Sequence, residues 1–138
     1  MAVQETQASP SEAIREEQAA DYAHELISSR RVEGTAVYSG SGEKLGTIHS
    51  VMIGKRSGQV AYAVLSAGGW LGIGAHVHPI PWELLTYDVD RDGYVVGIDR
   101  EQLRGAPSMT LDDTDRPIDR GYQEQVSSYW GTMPWWGL

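Results

Sequence analysis

The chain has 138 residues, which is enough for one domain with a hydrophobic core and too few for two domains with linkers. Its formal net charge of -8 opposes binding to a phosphate backbone, and its lack of cysteine excludes disulfides, a thiolate nucleophile and a thiolate metal site. No secretory signal pattern opens the sequence and no apolar run approaches the ~20 residues of a membrane span, so we expect a cytoplasmic protein with no nucleic-acid partner and no stable membrane insertion.

Residues 1–25 are predicted to form a polar helical extension. The run Ser9–Glu12 combines a capping serine with a proline at the first helical position, so the helix is expected to begin at Pro10. Its apolar face is thin: Ile14, Tyr22 and Leu26 lie near one face, with Ala19 and Ala23 between them. We therefore expect this helix either to dock on the rest of the protein or to fray.

Residues 26–109 have the pattern of a small, mainly β domain of about six strands. Short runs of β-branched and aromatic residues alternate here with glycine-containing turns. Thr35–Tyr38 is predicted as a strand and Leu45–Ile53 as its antiparallel return. Because hydrophobic residues in the return strand are three positions apart, we expect a bulge near His49 and Ser50.

The next predicted strand, Val60–Leu65, is apolar at every position. Such a pattern is typical of a strand that is covered on both faces. One face is expected to fill the core of the domain. The other face needs a terminal segment or a second subunit, because a bare apolar sheet face promotes aggregation.

A glycine-rich segment that ends in Pro-Trp follows this strand. Glycines permit tight turns beneath bulky tryptophans, so the segment is predicted to be a barrel corner that includes a short strand over Ala75–Ile80. It does not match the order of a dinucleotide fingerprint and is not followed by a helix. The residues predicted to build this corner are Gly68, Gly69, Trp70, Gly72, Gly74, Pro81 and Trp82.

The last part of the β domain is predicted to be a hairpin and one helical turn. Leu85–Val89 and Tyr94–Ile98 are connected by a turn that contains Asp-Gly, a good turn former. A helical turn over Arg100–Arg104 is expected to stop at Gly105.

Residues 110–138 form an acidic tail that ends in aromatic residues. Tyr122, Val126, Tyr129 and Trp130 fall on one face of a short predicted helix, and Trp135 and Trp136 follow it. We expect this surface to pack on the barrel or across a dimer. An interfacial membrane anchor is the alternative, and the acidic charge of the tail disfavours it.

Several of these segments together resemble the PRC-barrel family. The most specific combination is the glycine-rich run followed by Pro-Trp, and the aromatic tail Tyr129–Trp136 is similar to that of a bacterial stand-alone subgroup. The segments that carry the resemblance are Val32–Tyr38, Gly42–Ile48, Tyr62–Val64, Gly68–Gly74, His78–Trp82 and Leu103–Pro107.

The resemblance implies a small barrel-like β fold. Such a domain occurs in the cytoplasmic part of the photosynthetic reaction centre H subunit and at the C-terminal end of a ribosome maturation factor, where it binds proteins. The present sequence has neither a membrane span nor a second nucleic-acid-like domain, so neither of those two functions transfers. The family also offers no catalytic residue to transfer.

Two side-chain groups are candidates for metal binding. Asp88, Asp90 and Asp92, with Asp99 in the twelfth position, match a calcium-loop pattern, but strands rather than helices are predicted to flank them. An acidic β-turn is therefore the favoured interpretation. His76 and His78 share one face of a strand and would form a metal site only if His49 lay beside them.

The sequence thus predicts a non-catalytic interaction or scaffold module without a cofactor. No serine lies in a nucleophile-elbow pattern, which disfavours an enzyme. A homodimer that buries the tail and Val60–Leu65 is the leading hypothesis, with a further protein partner allowed. The alternative is a small-ligand or ion-binding module that uses the aspartate loop or the histidine pair.

Overall fold

The computed structural model describes residues 25–67 and 76–137 of the chain. The helix predicted to begin at Pro10 and the glycine-rich part of the predicted corner, Gly68, Gly69, Trp70, Gly72 and Gly74, lie outside the described residues.

The described residues form one sheet with seven strands in the order β5-β6-β1-β2-β3-β4-β7. The prediction of a mainly β domain is confirmed, and the two-residue β7 is a strand that the sequence did not indicate. Neighbouring strands are antiparallel except for β1 and β6, which are parallel. The strands are β1 Ala36–Ser39, β2 Lys44–Ile53, β3 Val60–Ser66, β4 His76–Pro81, β5 Leu85–Asp88, β6 Gly93–Val96 and β7 Met109–Thr110.

Short helices connect and flank these strands. The predicted turn of helix after the last hairpin is confirmed, and the predicted tail helix is confirmed as the longest described helix. Within residues 25–67 and 76–137, no helix has the length and apolar character needed to cross a membrane. The helices are α1 Ser29–Val32, α2 Arg100–Arg104 and α3 Arg120–Trp130, with 3-10 turns η1 Trp82–Leu84 and η2 Leu111–Asp115.

The connection between β4 and β5 requires the sheet to curl. These strands are five positions apart in the sheet order, and a flat sheet would separate them by about 24 Å. Yet only the three residues of η1 join them, and a 3-10 turn of that length advances by about 6 Å. The sheet therefore bends round towards a barrel, although no strand pairing among the described residues joins its two ends.

The predicted bulge in β2 is confirmed. The register between β2 and β3 shifts between Ile48 and Ser50, which leaves His49 without a partner in the ladder. The extra residue explains why hydrophobic residues in this strand do not alternate strictly. The resulting bend helps β2 to curve around the core.

Strand β3 is buried on both faces, as its sequence predicted. Ala63 and Leu65 belong to the main core cluster, which also includes Leu45, Ile80 and Leu103. On the outer face, Val64 packs in a separate cluster whose partly buried members are Met52 of β2 and three residues of the C-terminal tail, Leu111, Ile118 and Tyr122. The cover of the outer face is therefore a terminal segment of the same chain.

A pair of valine variants tests whether the tail covers β3. Val64 is 0% exposed and Val89 is 52% exposed. We expect Val64→Ala to lower the free energy of unfolding by about 1.5–3 kcal/mol, because it removes buried methyl groups and leaves a void. Val89→Ala is expected to have little effect. Urea unfolding measures both variants, and an equally small effect of Val64→Ala would contradict a covered outer face.

Candidate functional site at the C-terminal tail

The tail reverses direction at the end of α3. Asp119 begins the helix, since its side chain accepts a hydrogen bond from the Tyr122 N–H at 2.8 Å. Gly131 ends it in the left-handed conformation, with φ 69° and ψ 29°. The N–H of Thr132 then donates to the Ser127 carbonyl at 3.0 Å. The last residues therefore run back along α3.

Two contacts hold the terminal tryptophans against the start of α3. The indole Nε1 of Trp135 donates to Gln123 Oε1 at 2.6 Å. The guanidinium carbon of Arg120 lies 3.9 Å from the ring centroid of Trp136, which is the geometry of a cation–π interaction. Because both partners lie in the first turns of α3, the tail and the helix form one antiparallel unit.

The turn between β2 and β3 approaches this unit at Gly54. A Cβ atom at Gly54 would lie 2.8 Å from the Trp135 ring and 2.5 Å from Ser57 Oγ, so only glycine permits the observed contact. The turn is closed by hydrogen bonds from Gly54 N–H to the Gln59 carbonyl and from Gly58 N–H to the Gly54 carbonyl, at 2.8 and 2.9 Å. Trp135 therefore packs directly on the backbone of the turn.

A groove of about 670 Å³ lies between this turn and the end of the tail. We call it the tail groove and define it by the turn 54–58, the segment 114–118 and the two terminal tryptophans. Ile53 at its edge is 52% exposed, so apolar surface is open to solvent there. Its main apolar lining residues are Met52, Ile53, Ile118, Trp135 and Trp136.

Among the described residues, the charged side chains that line the tail groove are all cations. They are Lys55, Arg56 and Arg116, in a chain whose formal net charge is -8. Arg116 makes an exposed ion pair with Asp113 at 3.5 Å, and such exposed pairs contribute little to stability. The groove therefore combines an apolar lining with an electropositive edge.

A smaller pocket of about 260 Å³ shares the lining residues Ala61, Tyr62 and Trp135 with the groove. Tyr62 is 4% exposed, and its hydroxyl has no hydrogen-bond partner of good geometry among the described residues. Burial raises the pKa of Tyr62, and the nearby Ser127 hydroxyl opposes this shift. The phenol therefore remains a neutral donor at neutral pH.

The other aromatic residues singled out in the sequence have packing roles. Tyr62 pairs with Pro81 across the β3–β4 ladder, and Trp82 packs edge-on against Tyr94 with 5.3 Å between ring centroids. Tyr129 and Trp130 make a similar contact at 4.8 Å. Trp82 and Trp130 also pack against the main core cluster, and of this set only Tyr62 lines the tail groove.

The aspartates of the calcium-loop pattern take local structural roles. The predicted hairpin is confirmed. Asp88, the last residue of β5, accepts a hydrogen bond from the Asp90 N–H at 3.0 Å. Asp92 accepts one from the Tyr87 hydroxyl. Asp99 caps α2 by accepting from the Gln102 N–H at 2.8 Å. Across the described ranges, no three histidine, aspartate or glutamate side chains are arranged to hold a metal ion.

The three histidines of the candidate metal site do not come together. His76 and His78 lie on β4, whereas His49 lies on β2, and β3 separates these strands. At about 4.8 Å per strand, the two backbones are roughly 10 Å apart. His78 contacts the Pro107 carbonyl through Nδ1 at 3.1 Å. Burial lowers the pKa of His78, and that contact opposes the shift.

Sequence reasoning missed the cationic edge of the groove. Lys55 and Arg56 have the pattern of an ordinary solvated turn, and nothing near them in the sequence indicates a contact with Trp135. Gly54 between a strand and two basic residues was the available local signal, since an isolated glycine at a strand end often marks a close approach.

A glycine variant tests the contact between the turn and the tail. We expect Gly54→Ala to displace Trp135, because the new methyl group would overlap the indole ring. Tryptophan fluorescence should shift to longer wavelength, and the free energy of unfolding should fall by about 1–3 kcal/mol. Gly40→Ala is the control, since a Cβ there meets nothing within 4 Å. Identical spectra for the two variants would argue against the packed tail.

A tyrosine variant tests the burial of α3 against the sheet. Burial, with smaller contributions from Asp113 and Tyr62, raises the pKa of Tyr122 to about 12 from 10.0. The unfolded chain therefore loses this proton at a lower pH than the folded chain, and stability should fall as pH rises from about 10 to 12. Tyr122→Phe should reduce that fall, as measured by urea unfolding at several alkaline pH values.

At neutral pH the same variant should be as stable as the original chain or more so, because the Tyr122 hydroxyl is buried without a partner. A large loss of stability at neutral pH, or an unchanged alkaline profile, would show that the hydroxyl is hydrogen-bonded or exposed.

Comparison with known proteins assigns the domain but not the tail. The family model of the PRC-barrel domain matches residues 24–103, which include all strands from β1 to β6 and end before α3. An uncharacterized protein of Deinococcus radiodurans is 26% identical over 100 residues, and the match covers 67% of this chain and 35% of that protein. The chain thus spans about a third of the length of that relative. With the family match covering more than half of its residues, the chain belongs to the PRC-barrel domain family.

Proposed function

We propose that this chain is a non-catalytic protein-interaction module that binds a segment of a partner protein in the tail groove. The observation that carries the proposal is the open apolar lining of the groove. Ile53 is 52% exposed beside the two terminal tryptophans. Exposed apolar surface next to polar edges is characteristic of sites that bind proteins. Family resemblance supports the same class of function.

The side chains of the groove favour binding over chemistry. Its polar lining consists of cations, short hydroxyls, amides and one buried phenol. Nucleophilic catalysis needs a nucleophile within hydrogen-bond reach of a general base, and the described residues that line the groove include no histidine or carboxylate to act as that base. The ion-binding alternative gains no supporting geometry from the aspartates or histidines of the described chain.

Self-association remains a prediction. The tail covers the outer face of β3 within one chain, so a dimer does not need to bury that face. A second copy would instead use exposed apolar surface at the edge of the tail groove, such as Ile53. Light scattering coupled to size exclusion measures this directly.

Site-specific photo-crosslinking in the native organism tests the proposed function. A benzophenone amino acid is introduced at Ile53 in the groove or at Val89 outside it, since both positions are 52% exposed. We expect a protein adduct from Ile53 and none from Val89. An adduct with the mass of two chains would identify a second copy as the partner. No adduct from Ile53, or equal adducts from both positions, would overturn the proposal.

A further inference from the structure

We infer that the tail groove selects an acidic protein segment that carries a large apolar side chain. This inference rests on the proposed function and states the chemistry of the partner. Two features of the described residues support it: the sign of the charges and the apolar lining.

The charges around the groove are opposite to those of the chain as a whole. The sequence contains 19 aspartates and glutamates against 11 lysines and arginines, yet the charged lining consists of Lys55, Arg56 and Arg116. In the part of the chain that the structure describes, this set pairs with a carboxylate on Asp113, which is 45% exposed, while its arginine partner is 72% exposed. A solvated pair of this kind is readily exchanged for a carboxylate of a ligand. Electrostatic complementarity therefore favours acidic partners.

The apolar lining fits a large hydrophobic side chain between the charges. Trp135 and Trp136 meet edge-on with ring centroids 5.9 Å apart, and Arg120 holds Trp136 in place. Rigid aromatic side chains bind apolar groups at a low entropic cost. The volume of about 670 Å³ lies within the range of sites that bind a drug-sized ligand, which is enough for a large side chain of a bound segment.

Other anionic partners are less compatible with these features. Nucleic acids and anionic membranes present extended negative surfaces, and the net charge of -8 opposes approach to both. A segment that enters the groove meets the three cations without bringing an extended anionic surface against the rest of the protein.

Fluorescence polarisation with the full chain tests the inference. The probe is a short labelled peptide with a central leucine and phenylalanine flanked by glutamates. One control peptide has lysines in place of the glutamates, and another has serines in place of the two apolar residues. We expect the glutamate peptide to bind at least about ten-fold more tightly than either control, and its affinity to fall with added salt.

Matched arginine variants locate the binding site. Arg116 and Arg104 are both 72% exposed, and each pairs with an acid three residues before it, at 3.5 and 3.6 Å. Only Arg116 lines the groove. Arg116→Glu should weaken binding of the glutamate peptide by about ten-fold, whereas Arg104→Glu should leave it unchanged.

Equal affinities for the glutamate and lysine peptides, or equal effects of the two arginine variants, would overturn the inference. The inference would also be overturned if the protein bound phosphatidylserine vesicles as tightly as the glutamate peptide. That result would assign the cations to a membrane surface. If the peptide shows no preference while Ile53 still yields a protein adduct, the proposed function stands and the acidic partner is wrong. If both experiments fail, the proposed function is wrong as well.

Discussion

Strand β3 carries apolar side chains on both faces, and each face needs its own cover. Ala63 and Leu65 face the core that the curled sheet encloses, while Val64 faces outward. A seven-stranded sheet of this size can bend around one face only. The second face therefore requires a further segment, and η2, α3 and the residues after Gly131 provide it.

The position of the tail groove follows from this cover. Since α3 lies across the outer face, the reversal at Gly131 directs the last residues back towards the β2–β3 turn. Trp135 can then contact Gly54, where no side chain blocks the approach. The cations of the turn become part of a groove only because the tail forms its other wall. The tail therefore covers the outer sheet face and forms one wall of the groove through the same packing.

The sequence predicted those features that depend on neighbouring residues. The run Val60–Leu65 indicated a strand covered on both faces, and the spacing within β2 indicated the bulge at His49. Asp-Gly indicated the hairpin between β5 and β6. Each of these follows from local periodicity or turn chemistry, which a single sequence carries.

Features that join distant parts of the chain could not be predicted in this way. The parallel pairing of β1 with β6 depends on the curl of the whole sheet. The contact of Gly54 with Trp135 joins residues that are far apart in the chain, so Lys55 and Arg56 gave no sign of a shared site. The tail itself was predicted correctly as a helix with aromatic residues. The sequence did not decide whether this helix packs on the barrel or on a second subunit.

The family match ends at residue 103, so the domain and the tail contribute differently to the site. The domain supplies the turn with Gly54, Lys55 and Arg56, while Arg116 and the terminal tryptophans come from outside the match. A PRC-barrel domain with a similar two-faced strand but another cover would keep the fold and lose this groove. The electropositive, apolar surface is therefore a property of this tail on this turn, and the family fold alone does not determine what the protein binds.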